Sequence, residues 1–470
     1  MILLVRWFFL LLTPLPVTGQ VTVTGHDTTY AGKELVFMRY SDWITMTEEI
    51  TGSCRVDSEG FFSIDFPEEN TGLIFTYLGI YRAYFYAEPG HLYNLILPAY
   101  LERTTDQRLN PYFQYTDVHL AMNDLASGDL NLLIMEFDAA YDSIYQKHVN
   151  DLYGKPDPAA MKDDIDQVEL RFAGTGNQFF NNYRHYMYGT LKLLSQQQRA
   201  QSLSDEYFNN YPVLYCNPVY GELFNQVFDK YFVFYGRTDE GKQIYDDINR
   251  NASYHDLSKT LSRSNNFSND TLRELVILKE LHDEYYSDQF SRRGLLNILD
   301  TLIMTTTIEK HKEIGFLIRD KITRLQAGFE PPQFELEDQD GNMVSLSDFK
   351  GEYIYLNFCT FQSYTCLNEF NMLAALQQKY GNVIKIVTIT TDPESDEFRQ
   401  YRIKNNYNWI FLHYDKYPEV LKEYDIRAFP TYFLIGPDGK LILSPAPSPS
   451  ENFESRLIEI LRSRGDLQFN

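Results

Sequence analysis

The C-terminal third of this sequence holds two apolar-rich runs, "YIYLNFC" from Tyr353 to Cys359 and "VIKIVTIT" from Val383 to Thr390, with a helix-period segment between them. A strand that is apolar at nearly every position, and not only at every second one, is buried on both faces, which demands a parallel sheet covered by helices on either side. Residues 363–380 read as the first covering helix, "SDEFRQYRIKN" as a second, "NWIFLHYD" as a third strand and "EVLKEYD" as a short helix. The strand "TYFLIG", a turn at Pro437-Asp438-Gly439, the strand "KLILS" and a helix through "FESRLIEILRS" complete the series. Parallel strands joined by helices and closed by a hairpin and a helix make a three-layer α/β unit. Its start is marked by "AGFEPPQF", where Gly328, Pro331 and Pro332 break the preceding pattern.

That unit accounts for a minority of the 470 residues, and at roughly 100–200 residues per domain the chain has room for two to four. From Val21 to about Pro98 the pattern is that of strands, including "ELVFMRY", "WITMTEEI" and "LIFTYLGIYRAYFYAEPG". Alternation is clearest around the turn Asp57-Ser58-Glu59-Gly60, with Cys54 and Val56 before it and Phe62, Ile64 and Phe66 after it. From about Tyr115 to Ala327 the period becomes helical, as in Leu130, Leu133, Ile134, Phe137, Tyr141 and Ile144, and again in Ile314, Leu317, Ile318, Ile322 and Leu325. The expected fold class is multidomain: an antiparallel, sandwich-like β module over residues 20–100, an α-helical domain over 101–327 and an α/β domain over 328–470.

The opening "MILLVRWFFLLLTPLPVTGQ" joins Arg6 to an apolar run from Trp7 to Leu12, followed by Pro14, Pro16 and small residues near Val17 and Gly19. Residues 1–19 therefore read as a secretory signal, too short and too proline-broken to span a bilayer, and the mature protein is expected to be exported without a membrane span. The balance of 42 basic against 65 acidic residues, a net charge of -23, excludes nucleic acid as a natural partner. Four cysteines in a chain this long do not make a disulfide scaffold. Cys54 and Cys216 read as buried small hydrophobes. Six of the nine histidines, His119, His148, His185, His255, His282 and His311, fall in the helical region, none at a metal-ligand spacing, and read as surface or cap residues. No cofactor or metal is called for.

The segments "PPQFELEDQDGNMVSLSDFKGEYIYLNF" and "YDIRAFPTYFLIGPDGKL" resemble the TlpA-like and ResA-like thioredoxin-fold proteins of the bacterial cell envelope, over roughly residues 328–465. The resemblance implies a thioredoxin fold, relation to thiol-disulfide oxidoreductases, a place in the periplasm or cell envelope, and extracytoplasmic proteins or peptides as partners. In that family a Trp-Cys-x-x-Cys stretch follows the strand. Here "CTFQSYTCLNEF" puts Ser363 at the position of the attacking cysteine, Cys366 at that of the resolving one and Cys359 at that of the tryptophan, while Glu369 keeps the acidic residue three positions on. Phe429 and Pro430 fall in the family's cis-proline loop, beside which its members bind extended peptide.

Disulfide exchange needs a thiolate, and a helix N-terminus lowers a cysteine pKa from about 8.5 into a range of roughly 3.5–7.5. A serine hydroxyl gains nothing comparable, so the two-cysteine cycle is expected to be lost. Three readings of Cys366 stand: an inert buried thiol, a bond to Cys359, which requires a Cα separation of roughly 4.4–6.8 Å, or a lone peroxide-reducing thiol of the kind found in peroxiredoxins, which share the fold. The last has its hydroxyl residue in Ser363, but Cys359 stands where those enzymes use a proline, and Phe429-Pro430 where they use an arginine.

Overall fold

The computed structural model describes residues 19–104, 107, 110, 113–152, 158–194, 200–267, 269–390, 396–414 and 419–466. All of the expected leader but Gly19 lies outside the described residues. The chain forms two compact units, one of residues 19–102 and 115–319, the other built on residues 320–466.

The first unit opens with nine strands: β1 (Gly19–His26), β2 (Glu34–Tyr40), β3 (Glu48–Arg55), β4 (Phe61–Glu68), β5 (Gly72–Leu78), β6 (Tyr81–Ala87), β7 (Leu92–Ile96), β8 (Thr116–His119) and β9 (Ala121–Met122). They form one sheet ordered β4-β1-β7-β9 and another ordered β3-β2-β5-β6-β8. In β4 the period-two pattern is literal: Phe62, Ile64 and Phe66 are buried between exposed neighbours. They share a core with Val21, Val23, Leu35, Phe37 and Phe85. The stretch "WITMTEEI" is a strand only from Glu48 onward. Before it, the Asp42 carboxylate accepts the N–H groups of Ile44 at 2.8 Å and Thr45 at 2.7 Å, and so holds Trp43 in a turn.

Helices follow: α1 (Leu130–Leu152), α2 (Pro158–Arg171), α3 (Gln178–Leu194), α4 (Ala200–Tyr207), α5 (Pro218–Val227) and α6 (Tyr231–Gly236). Beyond them run α7 (Ile244–Asn249), α8 (Tyr254–Leu261), α9 (Asp270–Asp283), α10 (Arg292–Thr305) and α11 (Glu309–Thr323). Strands and helices are tied together by Asn131 of α1. Its Oδ1 accepts the Tyr86 N–H at 2.8 Å and its Nδ2 donates to the Tyr86 carbonyl at 2.8 Å, as a neighbouring strand would.

The structure corrects two expectations in this unit. His148 and His311 are buried, not surface residues. Each stands against a carboxylate, His148 at 2.6 Å from Asp164 and His311 at 2.8 Å from Glu274, and the latter also meets the Tyr215 hydroxyl at 2.7 Å. These partners come from other elements, which no local spacing reveals. Nor is either outlying cysteine a core residue: Cys54 is half-buried and Cys216 exposed. Cys216 is exposed and lines a concave site together with Arg39, Glu68 and Lys310. Desolvation, with Glu68 and Glu69 nearby, raises its pKa against the pull of Lys310 and Arg39. Native alkylation should therefore strike Cys216 well before Cys359 or Cys366, and its rate should go on rising with pH past the ordinary thiol range. Timed quenching and peptide mass analysis read this directly, and equal labelling of Cys366 contradicts it.

In the second unit β10 (Glu335–Asp338), β11 (Met343–Ser345) and β12 (Tyr353–Cys359) lead into α12 (Tyr364–Tyr380). Then come β13 (Ile384–Thr390), α13 (Asp396–Lys404), β14 (Ile410–His413), α14 (Glu419–Glu423), β15 (Thr431–Ile435), β16 (Leu441–Ala446) and α15 (Phe453–Arg464). The sheet runs β11-β10-β14-β13-β12-β15-β16, with β12, β13 and β14 parallel and β15 antiparallel to β12. All seven residues of β12 are buried. Tyr353, Tyr355 and Cys359 join the core shared with Phe370 and Phe453, while Ile354, Leu356 and Phe358 join the opposite core with Tyr424 and Phe433. Two covered faces explain a run that is apolar at every position but Asn357. Among the described residues no helix is long and apolar enough to cross a membrane.

Candidate functional site

The site forms where β12 gives way to α12. Central strands of a covered sheet end at its rim, and the turn that follows delivers the first helical residues there. Ser363 is the N-cap of α12, with extended backbone (φ -92°, ψ 119°), and its Oγ accepts the N–H of Cys366 at 3.4 Å. The hydroxyl is thus engaged in satisfying the helix terminus, the task for which serine is among the preferred residues. Tyr364 and its neighbours Gln362 and Thr365 are exposed, and Tyr364 is 78% so.

Cys366, one turn in, is fully buried, and its Sγ accepts the Thr360 N–H at 3.4 Å. Cys359, the last residue of β12, is equally buried, and both cysteines are thiols. Tyr432 of β15 lies on the same side of the sheet, its ring 5.1 Å from that of Tyr355. Burial pushes the Tyr432 hydroxyl far above the ordinary phenol range, and negative charge on Cys359, Tyr355, Glu369 or Cys366 pushes it further. These groups disfavour one another's ionisation.

Glu369 is buried one turn along α12, and its carboxylate is held by the Ser450 hydroxyl and, at 3.3 Å, by the Ser450 N–H. The Phe429–Pro430 peptide bond is cis. Register pairs Phe358 with Thr431, so this bond stands at the same end of the sheet as Cys359. Phe429 packs partly into both cores, while Arg427 and Ala428 are exposed. The structure thus gathers Cys359, Ser363 and Cys366 at one strand end, with Phe429 and Pro430 at that end of the neighbouring strand, and turns Glu369 toward Ser450. Among the described residues no group of three His, Cys, Asp or Glu side chains is arranged to hold a metal.

Sequence reasoning passed over Tyr432. Its hydroxyl is buried and has no hydrogen-bond partner among the described residues, and the sequence signal was a phenol in a mostly apolar strand. Tyr432→Phe should stabilise the protein by about 1 kcal/mol, since it removes an unsatisfied buried polar group at little change of shape. Urea denaturation checks the sign, and a loss of stability would mean that the hydroxyl has a partner.

A central parallel sheet flanked by helices, with a helix starting beside a cis-proline loop, defines a thioredoxin-fold domain. Residues 327–444 match the AhpC/TSA family. Thiol-disulfide oxidoreductase ResA of Bacillus cereus (strain ATCC 10987 / NRS 248) is 30% identical over 152 residues, which are 32% of this chain and 86% of that protein. The ResA of Bacillus subtilis (strain 168) is 30% identical over 120 residues, 25% of this chain and 66% of that one. Among solved structures, a putative thiol-disulfide oxidoreductase from Bacteroides vulgatus is 27% identical and covers 29% of this chain and 98% of its own, with a TM-score of 0.27. Through its C-terminal domain the chain belongs to the family of ResA-like thiol-disulfide oxidoreductases.

Proposed function

We propose that this chain is an exported protein of the periplasm or cell envelope whose thioredoxin-like domain does not run the two-cysteine exchange cycle. The observation that carries the reading is the engagement of Ser363: its oxygen caps α12 by accepting the Cys366 N–H. A hydroxyl so placed forms no thiolate equivalent. Cys366, fully buried, is a resolving thiol with nothing to resolve. The same burial of Cys366 and Cys359 speaks against a peroxidase, whose sulfur has to meet its substrate.

What remains usable is surface. Tyr364 and the loop at Arg427 and Ala428 are exposed beside the strand end, and in this family extended peptide binds next to the proline of that loop. The reading therefore assigns the domain to holding extracytoplasmic proteins or peptides without chemical turnover. The test is reduction of a protein disulfide by the purified chain with a recycling thiol. The expected rate is that of the thiol alone. Turnover that disappears with Cys366→Ala would overturn the reading.

A further inference from the structure

The first unit holds a cavity of about 840 Å³, inside the range of roughly 300–1,000 Å³ typical of small-ligand sites. Its wall brings together segments far apart in the chain: the end of β2, the β4–β5 turn, α3, the loop from Val213 to Asn217 ahead of α5, and the start of α11. It shares no residue with the strand end around Cys366.

What a ligand meets there is set by ion pairs that stay open to solvent. Arg39 holds Glu49 at 3.3 Å and Glu68 at 3.2 Å, and Lys310 holds Glu313 at 2.9 Å. The side chains of Arg39, Glu49, Lys310 and Glu313 are 45%, 37%, 31% and 48% exposed, so these lining groups are within reach of a bound molecule. A charged ligand gains little from them. An anion meets four carboxylates, Glu49, Glu68, Glu69 and Glu313, against two cations. It would also have to draw Arg39 away from Glu68, which is only 7% exposed and would be left buried without its counter-ion. A cation finds Glu49, Glu68 and Glu313 already paired, while Glu69 lies exposed on the β4–β5 turn, where water and salt screen it.

A hydroxyl group is served differently. It accepts and donates at once, so it fits the edge of an ion pair, taking a hydrogen bond from the cation and giving one to the carboxylate without separating them. Asn70 and Asn182 add amides to the wall, which likewise set a donor beside an acceptor. The half-buried rings of Tyr40, Trp43 and Phe179 line the same cavity and give apolar area to the C–H face of a sugar ring.

We propose that this cavity binds a short neutral oligosaccharide, its hydroxyls bridging the Arg39–Glu49 and Lys310–Glu313 pairs and its ring faces resting on the aromatic side chains. No bond is made or broken. Cys216, exposed on the same wall, reports occupancy.

The test uses the whole chain and a panel of short neutral oligosaccharides of glucose, galactose, mannose and N-acetylglucosamine, with oligogalacturonate and chitosan oligomers as acidic and basic comparators. Calorimetry measures affinity, and protection of Cys216 from maleimide places the ligand. At least one neutral member should bind and protect Cys216, about tenfold or more tighter than either comparator. Glu313→Ala removes one exposed acceptor and should weaken that member by about fivefold or more. Should that variant not fold, Asn182→Ala makes the same comparison. The proposal is overturned if no neutral member binds, if the comparators bind equally well, if the variants leave affinity unchanged, or if an acetylated, amidated glycine-serine peptide protects Cys216 as well as the oligosaccharide does. Its failure leaves the reading of Ser363 untouched, because no residue involved lies in the thioredoxin-like domain.

Discussion

Ser363→Cys is expected to raise the rate of protein-disulfide reduction by about 100-fold or more over the natural chain, because it sets a thiol at the head of α12 three residues ahead of Cys366. The N–H of Cys366 now bonded to the serine oxygen would instead face a sulfur and favour its thiolate. A second substitution, Cys366→Ala, should then trap mixed disulfides and stop turnover, since the resolving thiol is gone. The gain in chemistry comes with a loss of stability of about 0.5–2 kcal/mol, the usual cost of removing a serine cap. Insulin turbidity and a denaturant titration measure the two effects separately. If Ser363→Cys stays inactive although its thiol alkylates readily, the defect lies in the burial of Cys366 and not in the missing sulfur.

A second large effect is expected from Glu280→Gln. Glu280 on α9 is fully buried; its Oε2 accepts the Phe232 N–H at 2.7 Å, Lys279 Nζ lies 3.6 Å from Oε1, and among the described residues Oε1 has no hydrogen-bond partner. Burial raises its pKa from 4.5 to about 8, with Lys279 and the Phe232 N–H opposing. Between those values the folded chain keeps a proton that the unfolded chain has released. The carboxyl thus contributes stability that is fully present below the unfolded value and lost as pH rises through the folded one, at up to about 1.4 kcal/mol per pH unit. Glutamine keeps the acceptor for Phe232 and cannot ionise, so the variant should gain on the natural chain steadily as pH rises across that window. Urea unfolding followed at several pH values tests it, and parallel curves for the two proteins would refute it.

The parts that could be read from sequence are those set by local repetition. β12 showed itself because both of its faces are covered, and β4 because one is. Ser363 and Cys366 were legible because a cap and a residue in the first helical turn are neighbours in sequence. Trp43 was misread as a strand residue because the Asp42 carboxylate overrides the strand preference of "WITM". Cys216, His311 and the wall around Asn217 were hidden because their surroundings come from places as distant as Arg39 and Lys310. Tyr432 could be seen as a strand residue, but not as an orphan, since only packing decides which hydroxyls find a partner.

The clasp of Asn131 on Tyr86 has a consequence for how this protein survives in a crowded compartment. The parallel partner β8 covers β6 only from Tyr81 to Tyr84, which would leave the amide and carbonyl of Tyr86 open to a strand from another molecule. Unguarded borders of that kind seed aggregation. One carboxamide fills both positions, so the stretch of β6 beyond β8 offers a passing chain no foothold there, and Asn131→Ala should reveal itself first as clumping on concentration and only afterwards as a lowered melting point.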